Sequence, residues 1–99
     1  MQIEKIYDSE KLTLKVTGRL DSTNFQDLEK EANASIDSIK ELEFDFTDLE
    51  YLSSAGLRVL LSAQKKMNSK GKMTVSHANN AVKDIFRITG FSEILTIID

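Results

Sequence analysis

Apolar residues of two different periods alternate along the whole chain, and this alternation limits the fold more than any other feature. In "KLTLKVT", Leu12, Leu14 and Val16 alternate with Thr13, Lys15 and Thr17, the period of a strand with one buried face. In "ELEFDF", Leu42, Phe44 and Phe46 alternate with Glu43 and Asp45, again a strand with one better-covered face. Between these, Phe25, Leu28, Ala32 and Ile36 recur at steps of three and four, which is one stripe of a helix. A second stripe runs from Ser54 to Asn68 and carries Leu57, Leu60, Leu61 and Met67. "MTVSH" then reads as a strand. "NNAVKDIFRITG" reads as a helix on an Asn cap, with Val82, Ile85 and Phe86 inward, and "EILTIID" as a last short strand.

At the N-terminus, Gln2 to Tyr7 forms a further apolar-rich segment, joined to Lys11–Thr17 by the turn composition "DSEK". This predicts a hairpin, with Gly18 closing its second strand. Asp21 or Ser22 is expected to cap the first helix, whose first half is acidic as the helix dipole prefers. The glycine of "SKGK" and Gly90 are expected to end the two later helices. The resulting order is β-β-α-β-α-β-α-β. It predicts an α/β fold: a mixed sheet of four to five strands, with an N-terminal hairpin and flanking helices. The 99 residues contain no proline, low-complexity tract or internal repeat, so one domain is expected over residues 1–99.

Several functions are disfavoured. The formal charge is −3, and the only adjacent basic pair is Lys65–Lys66, so no nucleic-acid partner is expected. There is no cysteine for thiolate metal sites or disulfides. No apolar run matches a bilayer span and no targeting segment is visible, so a cytoplasmic protein without direct membrane insertion is expected. His77 is the sole histidine, and neither a nucleophile elbow nor a glycine-rich phosphate loop is present. No convergent acid, base and nucleophile can be named. The expectation is a non-enzyme with no cofactor, no metal and no catalytic residue, in which His77 is a polar strand-end residue.

In parallel α/β sheets, sites collect in loops beyond the carboxyl ends of strands. That places weight on "FDFTDLEYLSSAGLRVLL", Phe44 to Leu61. Ser53 or Ser54 can cap the helix that follows. A serine hydroxyl at a helix start is also a favourable place for a phosphate, because the dipole and free N–H groups stabilise the added charge. The local residues leave both uses open.

"GRLDSTN", "LEFDFTDLEYLSSAGLRVLL" and "VKDIFRITGFSEIL" resemble, in order and spacing, the STAS domains of single-domain bacterial anti-sigma factor antagonists. The resemblance covers nearly the whole chain and is most specific from Asp45 to Leu61. It implies a phosphorylation-controlled binding protein that regulates sigma-factor-dependent transcription. The unmodified antagonist binds an anti-sigma factor, often a serine kinase, whose phosphorylation of the antagonist ends the interaction, and a serine phosphatase resets it. The acceptor implied is Ser54, two residues before Gly56. Ser53 stands where several members carry aspartate, and Ala55 where others carry Ser or Thr. Asp21, Ser53, Ser54, Gly56 and Arg58 are the implied partner-facing positions, with Asp45 holding the site loop. Gly56 is read for close packing or backbone freedom as well. STAS domains also serve as structural subunits of transport or lipid-trafficking complexes, which is the alternative. An enzyme using Ser54 or His77 is a third reading, disfavoured for lack of partner groups.

Overall fold

The computed structural model describes residues 1–99, and its secondary structure begins with the expected hairpin. Strand β1 (Gln2–Asp8) pairs antiparallel with β2 (Lys11–Leu20). Helix α1 (Phe25–Ser35) runs into a short 3-10 turn (Ile36–Ser38), followed by β3 (Glu41–Asp45) and β4 (Leu49–Leu52). Helix α2 (Ser54–Asn68), strand β5 (Lys72–Ser76), helix α3 (Asn80–Ile88), a second 3-10 turn (Phe91–Glu93) and β6 (Ile97–Ile98) complete the chain. The sheet is mixed, in the order β1-β2-β3-β5-β6, and β2, β3, β5 and β6 are parallel neighbours.

The alternation read from the sequence is the alternation of burial. Leu12, Leu14, Val16, Leu42, Phe44, Met73 and Val75 are buried from β2, β3 and β5, and share one core with Leu28 and Ala32 of α1 and Leu57, Leu60 and Met67 of α2. The other face of β2 and β3 carries half-exposed polar groups. There Lys11 reaches Glu43 at 2.9 Å and Glu41 at 3.5 Å, and Ser76 donates to Glu43 at 2.6 Å. The Ser76 hydroxyl, followed by Lys11, holds the Glu43 carboxyl below the usual carboxylate range.

Four local expectations are corrected. Gly18 does not end the second strand, which continues to Leu20. With φ of 97° it instead sits where the register shifts: β2 pairs with β3 through Lys11–Lys15 and with β4 through Gly18–Leu20. That positive φ is open to glycine at little cost. The short strand β4 adds a sixth to the expected sheet; its "LEYL" buries only Leu49 and Leu52, a pattern without strand alternation. Neither Asp21 nor Ser22 caps α1, which starts after Asn24 with no side-chain cap. The remaining helix ends are as expected: α2 stops at Asn68, shortly ahead of Gly71, and α3 is followed by Gly90 at φ 82°. The last strand is reduced to two residues because Phe91–Glu93 turns first.

Candidate functional site

Strands β2 and β4 end side by side, Leu20 opposite Leu52, and their next residues build the site. The Ser53 N–H donates to the Leu20 carbonyl at 2.9 Å, which continues the ladder by one bond into the helix start. Ser53 is extended, and its hydroxyl accepts from the Gly56 N–H at 3.4 Å, while its carbonyl accepts from the Leu57 N–H at 3.0 Å. Of the two serines, Ser53 therefore takes the cap. Ser54 is the first helical residue and is exposed; Arg58, one turn further on, is also exposed.

Gly56 lies beneath this surface. A Cβ there would stand 2.5 Å from Leu52 Cδ1 and 2.9 Å from Leu20 Cγ. The missing side chain is what lets α2 press onto the ends of β2 and β4. Gly56 is buried, so it shapes the surface from below while Ser54 and Arg58 form it.

Asp21 reaches the site from the neighbouring strand. One carboxylate oxygen accepts from the Thr23 N–H at 2.9 Å and the Thr23 hydroxyl at 2.6 Å. The Asp21 N–H donates to Asn24 Oδ1 at 2.9 Å, and Asn24 Nδ2 donates to the Arg19 carbonyl at 2.8 Å. The Thr23 bonds, with help from Arg19 and the N-terminal amine, hold the Asp21 carboxyl below its ordinary range. This turn fixes the carboxylate just beyond the end of β2, whose last residue, Leu20, pairs with Leu52.

Asp45 repeats the device. Its carboxylate accepts from the Thr47 N–H at 3.0 Å and the Thr47 hydroxyl at 2.6 Å. Burial opposes its charge, but the Thr47 bonds, with His77 and Lys15 nearby, leave its carboxyl lowered. The loop from β3 to β4 is further tied by Gly18 N–H to the Asp48 carbonyl (3.0 Å) and by Asn79 Nδ2 to the Leu49 carbonyl (3.0 Å). These bonds position β4, and β4 positions Ser53 and Ser54.

Sequence reasoning missed Arg19 and Tyr51. They are cross-strand partners on β2 and β4, with the Arg19 guanidinium 4.4 Å from the centre of the Tyr51 ring, a cation–π contact. Asp45 was expected to hold its loop, but the Thr partners of the two Asp-x-Thr turns were missed, although "DST" and "DFT" are visible and carry the mechanism. The Arg19–Tyr51 pair left no such signal, because it depends on the register of a strand that does not alternate. His77 directly follows β5 with φ of 59°, and its N–H donates to the Ile98 carbonyl. It acts electrostatically on Asp45 and Asp99, and no hydrogen bond joins it to either serine. No group of three His, Cys, Asp or Glu side chains is placed to hold a metal ion, and no helix is long and apolar enough to cross a membrane.

Comparison with known proteins gives the family and the fold. The family model described as "Mlab, STAS domain" matches residues 6–97. BtrV of Bordetella bronchiseptica, named as a candidate anti-sigma factor antagonist, is 33% identical over 82 residues, which is 81% of this chain and 71% of BtrV. A candidate anti-sigma factor antagonist of Thermotoga maritima superposes with a TM-score of 0.91, over 98% of this chain and 86% of its own, at 18% identity. The anti-sigma factor antagonist SpoIIAA in its unphosphorylated form gives 0.82 at 16% identity, over 97% of this chain and 85% of its own. Its phosphorylated form, from Bacillus, gives 0.76 at 15% identity, over 97% of this chain and 88% of its own. At these identities the solved structures speak for the fold alone.

Proposed function

The chain belongs to the STAS domain family of anti-sigma factor antagonists, and on that premise we propose that it is a partner-switching protein controlled at Ser54. In its unmodified form it binds an anti-sigma factor of the serine-kinase type through the surface around Asp21, Ser53, Ser54 and Arg58. Phosphorylation of Ser54 ends the binding, and a serine phosphatase restores it. The protein is a binding module in this scheme, and the kinase supplies the chemistry. The Ser54 oxygen bonds to the γ-phosphorus of ATP, the bridging bond to ADP breaks, and the hydroxyl proton passes to a base on the kinase.

One observation carries this reading: Ser53 occupies the cap, which leaves Ser54 exposed at the first helical position. The helix start favours a phosphate there through its dipole and unpaired N–H groups. The modification also leaves the scaffold below undisturbed, since Gly56, Leu52 and Leu20 make the packing contacts. A dianion on this surface opposes binding by repulsion and by the cost of desolvating it in an interface.

The test is incubation with the cognate kinase and ATP, followed by mass spectrometric mapping. Label is expected on Ser54 and absent from Ser54→Ala; label on another residue, or undiminished label on the alanine form, removes the assignment. In a pull-down from the native organism, the Ser54→Ala form should retain the anti-sigma factor and the Ser54→Asp form should lose it. Recovery of permease or lipid-trafficking components in its place favours the alternative role as a structural subunit.

A further inference from the structure

We propose that Arg58 captures the phosphate carried by Ser54, in an ion pair within α2 that withdraws the guanidinium from the partner-facing surface. This rests on the reading of Ser54 as the modified residue. Ser54 and Arg58 are four residues apart on α2 and both exposed. Positions i and i+4 are neighbours on a helix surface, about 5–6 Å apart at Cβ, and the anion stands N-terminal to the cation, which is the better order. A guanidinium suits a phosphate because its planar donors can engage two oxygens at once.

The surroundings single out Arg58. Each ion pair of the protein is made by other residues, Lys5, Lys11, Lys15, Lys83 and Arg87 supplying the cations. The other arginine at this end, Arg19, lies over the Tyr51 ring. The first turn of α2 has no acidic residue, and one oxygen of the Asp21 carboxylate is already taken by Thr23. Arg19 and the N-terminal amine act on the Asp21 carboxyl, whereas Arg58 shares a helix row with Ser54.

The switch then has two parts. The unmodified surface offers Arg58 to an acidic group on the partner. Modification adds a charge of about −1.5 to −2 and, in the same event, takes that cation away. A partner relying on a carboxylate opposite Arg58 loses its counter-charge and meets a dianion in its place.

The experiment uses the full chain with phosphoserine encoded at position 54, so that it needs no kinase. Phosphorus NMR titration reads the second ionisation of the phosphate in the parent protein, in Arg58→Gln and in Arg19→Gln. The expected result is a pKa about 0.4 units lower in the parent than in Arg58→Gln. The difference should shrink in 0.5 M NaCl, be partly restored by Arg58→Lys, and be absent on comparing the parent with Arg19→Gln. The same ionisation in parent and Arg58→Gln overturns the proposal, as does a shift that follows Arg19. Arg58 is exposed, so its variants keep the fold. The two readings fail separately: a kinase that labels a different residue removes the assignment of Ser54, whereas an unmoved phosphate titration removes the role of Arg58 alone.

Discussion

Helices α2 and α3 both start on a polar residue in extended conformation, Ser53 and Asn79, yet the two starts are held differently. Asn79 is used from both sides. Its oxygen accepts from the Val82 N–H at 2.8 Å while its nitrogen donates to the Leu49 carbonyl at 3.0 Å, so the cap is also a tie to β4. Ser53 caps with one long bond of 3.4 Å. The start of α2 is secured mainly by what lies beneath it, where Gly56 meets Leu52 and Leu20. The same local device serves packing in one place and, in the other, stands beside an exposed hydroxyl. A surface that must accept and lose a partner can be left open only where the scaffold below is tight.

The predictions test that contrast. The largest effect is expected at Gly56. Gly56→Val forces a side chain into the contact with Leu52 and Leu20 and should cost about 3 kcal/mol in urea unfolding; a loss below about 1 kcal/mol would mean that the junction relaxes readily. Next is Asn79→Ala, which removes a cap and strips the Leu49 carbonyl of its donor, with an expected loss of about 2 kcal/mol. Ser53→Ala removes only the long cap bond and should cost about 0.5–1 kcal/mol. If it cost as much as Asn79→Ala, the two starts would not differ in the way described.

A smaller effect follows from acid. The Asp45 carboxyl is lowered in the folded protein. A lowered group contributes stability that is present above its unfolded pKa, about 3.9, and is lost as pH falls through the folded value. Stability should therefore decline below about pH 4, with a shallower decline in Asp45→Asn, whose side chain does not titrate. Equal acid slopes in melting experiments would show that the Thr47 bonds do not favour the charged form. The smallest change in stability is expected at Ser54→Ala, within about 0.5 kcal/mol by thermal unfolding, because the residue is exposed and does not cap. A loss comparable to that of Ser53→Ala would place Ser54 in the scaffold.

Much of the fold was legible because much of it is local. The alternation in "KLTLKVT" and "ELEFDF", the stripe of α2 and the Asn cap of α3 depend on residues close in sequence. The bounds of α2 were read as Ser54 to Asn68, as they stand in the structure. The start of α1 was misplaced because Asp21 has two ways to use its carboxylate, a helix cap or a turn with Thr23, and both satisfy local rules. Strand β4 was not seen at all. Its "LEYL" owes its extended form to pairing with Gly18–Leu20 across a register shift, and nothing in four residues reports a partner about thirty positions away. At the site, the serines, Asp21, Asp45 and Arg58 were nameable from sequence. Which serine caps was not, since either hydroxyl could accept the helix N–H groups and the choice turns on where β4 ends.

The sequence by itself determined the layer order: period-two segments need a covered face and period-3.6 segments supply the cover, so a sheet with helices on it follows from hydrophobic burial, and the turn "DSEK" with the alternation that follows makes that sheet mixed. Tertiary structure decided the rest. It set β2 and β4 side by side so that Asp21 and Ser53 emerge together, made Gly56 necessary by the approach of Leu52 and Leu20, and put Arg19 on Tyr51. These are contacts between residues far apart in the chain. Their geometry is fixed by strand register and close packing, which no local window of sequence contains.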